Sequence, residues 1–209
     1  MHAMSHAKVV VMTAARKIEL ISIEDYLAGE QRSQVKHEYL GGTIYAMAGA
    51  RVVHDQIAMT LLGLLHAQLR GRPCQPFNSD MKVRLRLPAH TRFYYPDGMI
   101  VCQSNPPDDT FQDSPVVIAE VISEATRRTD EGEKKDAYLT IPSLMAYLLI
   151  ESDRPRVVVH RRTETVFVPE AYQDADETIV LDHVGCSISL AELYERVDFA
   201  AKPQSSPDA

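Results

Sequence analysis

Residues 116–122 read Val-Val-Ile-Ala-Glu-Val-Ile, an apolar run broken by one acid, Glu120. The run lacks the apolar–polar alternation of a half-exposed strand. It is therefore predicted as a central strand covered on both faces. A carboxylate in that setting is costly to bury without a partner or a metal, so the rest of the chain must supply one. A second acid, Asp97, sits at the mouth of the apolar stretch Gly98-Met-Ile-Val101. If the two stretches pair, strands only about 4.8 Å apart bring both carboxylates to one place.

The chain of 209 residues is long enough for one sizeable core and short for two. We expect a single α/β domain over residues 18–200, with a flexible N-terminus at 1–17 and a disordered, Pro/Ser-rich tail at 201–209. A net charge of -7 argues against a general nucleic-acid coat, but a cleft's field depends on how charge is distributed. Cys74, Cys102 and Cys186 are widely spaced and form no CxxC pair. Neither a disulfide framework nor a cysteine-built zinc site is expected, which suggests a reducing, cytoplasmic setting. No apolar run reaches the roughly 20 residues of a membrane span.

Ser22-Ile-Glu-Asp25 resembles a capping box that opens a first helix. Residues 31–40 are expected to extend that helix or to form a second one, ending before Gly41-Gly42. Thr43–Met47 reads as a strand. His54–Leu69 reads as a helix, with Ile57, Leu61, Leu64, Leu65 and Leu69 at helical spacing. Met81–Leu87 alternates, which predicts a strand with Lys82, Arg84 and Arg86 facing out. A strand over 93–102, a loop over 103–115 and a helix over Asp130–Leu139 follow. Strands at 144–150, 157–160, 165–168 and 178–181 come next, and a second capping box, Ser189–Glu192, opens a last short helix. This order predicts a mixed sheet flanked by helices.

Asp97 and Glu120 suit a hard divalent cation such as Mg²⁺, which takes a few carboxylates plus waters. Lys134, in the first turns of the helix after the Glu120 strand, is the candidate cation. Asp130, Lys134 and Tyr138 share one helical face by spacing. The ordered set resembles the Uma-type restriction endonuclease family within the PD-(D/E)xK nuclease superfamily. Its pieces here are Tyr95-Pro96-Asp97, Glu120-Val121-Ile122-Ser123, Asp130…Lys134…Tyr138 and the strand ending at Glu151. Upstream, Glu38, Gly42, Ile44, Met47 and His54 match in order. The superfamily places its lysine two residues after the glutamate, where this chain has Ile122. The resemblance implies that Lys134 replaces it.

It also implies a restriction-endonuclease-like core and hydrolysis of DNA phosphodiester bonds with Mg²⁺ or Mn²⁺. Asp97, Glu120 and the Val121 carbonyl would hold the metal, Lys134 would align the attacking water, and Glu38 would assist. A non-catalytic protein of the same fold, binding or assembling as a homodimer, is the alternative, and a hydrolase of small phosphate esters is a lesser one. Read singly, several residues have plainer roles. Asp97 fits a turn and Glu38 a surface helix. His54 fits a helix cap or surface position, Glu120 a salt bridge to Arg127 or Arg128, and Asp130 with Lys134 a simple ion pair. Arg84, Arg86, Arg127, Arg128, Arg161 and Arg162 could contact phosphates, which arginine suits.

Overall fold

The computed structural model describes residues 19–199. The expected flexible N-terminus and disordered tail lie outside them. Ser22 caps α1 (Ile23–Glu30), its hydroxyl accepting from the Asp25 amide at 3.0 Å. Gly41 and Gly42 both have positive φ, 59° and 104°. That is the requirement of a primed hairpin turn, and it folds β1 (His37–Leu40) antiparallel onto β2 (Thr43–Ala46). Residues 37–40 are therefore a strand and not the predicted helix. α2 (Val52–Leu69) then buries Ile57, Leu61, Leu65 and Leu69 as expected.

The stretch 93–102, expected as one strand, is two. β5 (Thr91–Tyr94) belongs to a five-stranded sheet ordered β2-β1-β5-β4-β7, with β4 at Lys82–Arg86 and β7 at Phe111–Gln112 inside the predicted loop. β6 (Gly98–Val101) belongs to a second, six-stranded sheet. Tyr95-Pro96-Asp97 is thus the corner between the sheets. Proline lacks a ladder donor, which suits such a break.

In the larger sheet, β8 (Pro115–Ile122) lies between β6 and parallel β9 (Ala146–Glu151). β10 (Val157–Arg162) and β11 (Phe167–Tyr172) extend it on one side and β3 (Gln75–Asn78) on the other. Side chains alternate along a strand. Val117, Ala119 and Val121 pack toward α2 with Leu148 and Ile150. Ile118 and Ile122 pack oppositely with Tyr138, Leu144 and Leu149. Glu120 falls on this second face. β12 (Thr178–Leu181), β13 (Cys186–Ser189) and α4 (Leu190–Leu193) close the α2 side. β13 was not foreseen.

Two further expectations are corrected. Cys74 and Cys102 form a disulfide just beyond the β3–β6 ladder, whose last pair is Gln75 with Val101. The strand register sets them opposite each other, and nothing in their sequence spacing reveals it. Lys82 does not face out: it is 5% exposed, lies over the Tyr95 ring and donates to the Tyr95 hydroxyl at 3.3 Å. The far face of its sheet is covered, because Tyr95 in turn donates to Glu30 on α1 at 3.0 Å. No helix among the described residues is long and apolar enough to cross a membrane.

Candidate active site

Gly98 on β6 pairs with Ala119 on β8, so the preceding Asp97 stands opposite Glu120. The Asp97 amide donates to Glu120 Oε2 at 3.3 Å. The Val121 amide donates to Asp97 Oδ2 at 2.7 Å. The condition set by the sequence, that the two acidic strands pair, is met.

The chain leaves β8 through a turn in which the Arg127 amide donates to the Ser123 carbonyl. It then enters a π-helical segment, Thr129–Lys134, that runs into α3 (Lys135–Tyr138). Tyr147 on β9 pins this segment by donating to the Asp130 carbonyl at 3.0 Å. Asp130, Lys134 and Tyr138 turn one face to the sheet, as their spacing predicts. Lys134 Nζ lies 2.9 Å from Glu38 Oε1, 3.4 Å from Glu120 Oε1 and 3.6 Å from Asp130 Oδ1. The Glu38 contact, the shortest of the three, pairs the ammonium with a buried carboxylate oxygen. Tyr138 donates to Glu120 Oε1 at 2.9 Å.

Glu38 arrives from β1, not from a helix. A strand reaches across the corner between the sheets, where a helix ending at Gly41 would not. Glu120 is not bridged to Arg127, whose guanidinium instead grips Glu151 and Glu131. Read singly, His54 fits a helix cap or a surface position, but the structure brings it to the site. Its Nε2 lies 3.0 Å from Asp97 Oδ2, and its Nδ1 is buried without a partner. Position 54 on the first turn of α2 offers no sign of this; only the β6–α2 packing does.

Asp97, Glu38 and His54 form the mouth, with side chains 15, 14 and 19% exposed, while Glu120, Asp130 and Lys134 lie beneath. Burial holds the Glu120 carboxyl well above the usual range; Lys134 opposes this, and Asp97, Asp130 and Glu38 add to it. Burial likewise raises Asp130. Burial opposes the Lys134 charge, but Glu120, Glu38 and Asp130 outweigh it and raise its pKa. The hydrogen bond to Asp97 raises His54 against the effect of burial.

Three carboxylates, Glu38, Glu120 and Asp130, therefore surround one ammonium, and a fourth, Asp97, borders Glu120 at the mouth, so the cluster holds more acids than cations. Hard oxygen donors with surplus negative charge fit a divalent cation. Among the described residues no three or more His, Cys, Asp or Glu form a ready-made metal cage. Mg²⁺ does not ask for one, since it uses one or two carboxylates, waters and substrate phosphates.

Several predicted phosphate contacts are otherwise engaged. Arg84 forms a bidentate pair with Asp113 at 2.7 and 2.6 Å, Arg161 pairs with Glu170, and Arg162 donates to the Leu144 and Ile141 carbonyls. Arg128 is exposed and, among the described residues, has no ion pair.

Comparison with known proteins places these features in a family. The model of the Uma2 family, described as "Putative restriction endonuclease", matches residues 23–191. The uncharacterized Synechocystis protein slr1290 is 32% identical over 182 residues, covering 86% of this chain and 94% of that protein. A second uncharacterized Synechocystis protein, sll1609, is 32% identical over 143 residues, covering 67% and 80%. A crystal structure described as a putative nuclease belonging to DUF820, from Anabaena variabilis, superposes with a TM-score of 0.67. Identity is 16%, with 84% of this chain and 98% of that one covered. That likeness shows the fold, a mixed α/β core of the nuclease-like kind, and the match over 23–191 shows that the chain belongs to the Uma2 family.

Proposed function

We propose that this protein is a Mg²⁺-dependent endonuclease that hydrolyses phosphodiester bonds in DNA. The observation that carries the reading is the convergence of Asp97, Glu120 and Lys134: Asp97 N to Glu120 Oε2 at 3.3 Å, and Lys134 Nζ to Glu120 Oε1 at 3.4 Å. The family description and the nuclease-like fold support it.

The hydrogen bonds suggest which oxygens would hold the metal. Asp97 Oδ2 already faces two donors, the Val121 amide and His54, so Oδ1 is the oxygen left for a cation. Glu120 Oε1 is taken by Tyr138 and Lys134, whereas Oε2 accepts only the longer 3.3 Å bond from the Asp97 amide and keeps a lone pair for a cation. In an extended strand the N–H and C=O of one residue point to the same side, so the Val121 carbonyl faces the Asp97 edge as well. When bound, Mg²⁺ supplies charge neutralisation at the phosphate and a water of lowered pKa.

The protein does the rest. Lys134 orients the attacking water and offsets charge growing on the phosphate oxygens. Glu38 and Asp130 fix the ammonium, so that little reorganisation is needed when that charge develops. His54 holds the Asp97 carboxylate in one orientation, as supporting groups around metal ligands do.

The test is cleavage of plasmid and oligonucleotide DNA of varied sequence with Mg²⁺ or Mn²⁺. Wild-type protein should nick or cut, and Asp97→Ala and Lys134→Met should each lose at least 100-fold in rate, the scale of removing one electrostatic group. Intact substrates throughout, or cutting that Asp97→Ala leaves unchanged, would refute the proposal.

A further inference from the structure

The edges of the two main sheets are not alike. An edge strand presents unpaired N–H and C=O groups, and proteins blunt it with proline, charge or brevity. β11, at one edge of the larger sheet, carries Pro169 and Glu170, and β3, at the other, carries Pro76. β7, at one edge of the five-stranded sheet, is two residues long. β2, at its other edge, has neither proline nor charge, and all four of its residues are exposed. Residues 41–50 around it read Gly-Gly-Thr-Ile-Tyr-Ala-Met-Ala-Gly-Ala, without a charge in a chain that is 24% charged.

The pairing with β1 fixes which groups of β2 point outward. The Met47 amide donates to the Lys36 carbonyl at 2.9 Å, so Met47 turns its backbone toward β1. That direction alternates along an antiparallel strand. Thr43 and Tyr45 therefore bond to β1, while Ile44 and Ala46 point their N–H and C=O away from it. Among the described residues no strand pairs with these outward groups. Side chains alternate too. Tyr45 pairs with Glu38 and lies on the face that carries the acidic cluster. Ile44 pairs with Tyr39 and lies on the α1 face. Tyr45 is 54% and Ile44 40% exposed.

We propose that β2 is a dimerisation edge, pairing antiparallel with β2 of a second copy across a two-fold axis and joining the two five-stranded sheets into one. The absence of charge selects a second copy as the occupant. Across a two-fold axis the same patch meets itself, so a charge at the axis would face its own like. A strand built for a different partner escapes that constraint and can carry charges matched to it. The register follows from the outward groups. Ile44 of each copy pairs with the partner's Ala46, through about four main-chain hydrogen bonds in all, and Tyr45 meets the partner's Tyr45 in the non-hydrogen-bonded pair between them. Paired residues keep to one face, so both acidic clusters lie on the same side of the joined sheet, with the two β1 strands about 14 Å apart. The dimer does not depend on the nuclease reading; where that reading holds, the dimer presents two sites to one duplex, one for each strand.

Sedimentation velocity on the full chain, between about 1 and 100 μM, tests the proposal. Wild-type protein should sediment as a dimer of the 23.4 kDa chain. Ala46→Pro removes an outward N–H and no bond to β1, and Tyr45→Lys sets two ammonium groups at the axis. Each should weaken dimerisation by at least about tenfold, with an unfolding midpoint near wild type. Val168→Lys, on the exposed edge strand β11, should leave the dimer intact. Tyr45→Cys should link the two copies covalently in an oxidised-glutathione buffer, since a spacing of about 4.5 Å between Cα atoms admits a disulfide. Cys74 and Cys102 are already joined and Cys186 is buried, so the new thiol is the one that reports. A monomer at every concentration would mean that residues of the same chain or another protein cover the edge, and would overturn the proposal. A dimer that Ala46→Pro and Tyr45→Lys both leave unchanged would overturn it as well. No cleavage is read, so neither result bears on the nuclease reading.

Discussion

Replacing Lys134 by methionine keeps its length and removes its charge. Lys134 is 7% exposed, and its ammonium lies 2.9, 3.4 and 3.6 Å from Glu38, Glu120 and Asp130. At an effective dielectric near 20, each such contact is worth about 5 kcal/mol of gross attraction. The net figure is far smaller, because burying the ammonium is itself costly and the acids can take up protons. Removing one partner from a buried ionic group typically costs 3–5 kcal/mol. Glu120, already held high by burial, can be neutralised by a proton, so we expect about 3 kcal/mol. With a urea slope near 2 kcal/mol/M, the unfolding midpoint should drop by about 1.5 M at pH 7. The sign with pH follows from linkage. In the variant Glu120 and Asp130, which burial already raises, lose the cation that opposes the rise and move further above their unfolded pKa values. Acids raised in this way leave the fold undisturbed below the unfolded pKa, about 4, and destabilise it as pH climbs through the folded pKa. The gap between variant and wild type should therefore be wide at pH 7–8 and shrink toward pH 4–5. The assay is metal-free urea unfolding, followed by circular dichroism at several pH values. Lys135→Met, next door and outside the cluster, should shift stability by no more than about 0.5 kcal/mol. A Lys134→Met gap below about 0.5 kcal/mol at pH 7, or one that widens on acidification, refutes the account of this cluster.

Three other outcomes are expected. Hydrogen bonds from Arg127 pull the Glu151 carboxyl down to about 2, against the effect of burial. The stability it adds is full above about pH 4.5 and lost as pH falls toward 2, so Glu151→Gln should flatten the acid limb of the stability curve. His54→Ala should weaken Mn²⁺ binding by about 10- to 100-fold, the usual effect of losing a group that orients a ligand, with His54→Gln recovering part of it and an unfolding midpoint near wild type. Tyr138→Phe removes a donor from buried Glu120 and should cost about 1–3 kcal/mol; an unchanged midpoint would mean that the hydroxyl is not holding the carboxylate.

Strong local signals made much of this legible. The apolar run without polar alternation announced β8 and its central place, and Glu120 within it announced itself as a charge needing partners. Ser22 and Ser189 capped the helices that their motifs predict. Asp130, Lys134 and Tyr138 shared a face because spacing along a helix survives even a π-helical segment. What stayed hidden depends on contacts distant in sequence. Glu38 became a strand residue because the Gly41–Gly42 turn pairs it with Tyr45, overriding a helical reading of 31–40. Lys82 sits at a position that alternation assigns to solvent, and only the covering by Tyr95 reverses it. His54 joins the site because α2 begins beside the β5–β6 corner, and Cys74 meets Cys102 through strand register.

The central claim is that Asp97 and Glu120 together hold a divalent cation. Calorimetric titration of Mn²⁺ into the metal-free protein addresses it without requiring any knowledge of the DNA sequence recognised. The account predicts saturable binding by wild-type protein that is abolished in Asp97→Ala and sharply weakened in Glu120→Gln. An absence of binding by folded wild-type protein, or wild-type affinity in Asp97→Ala, would contradict it.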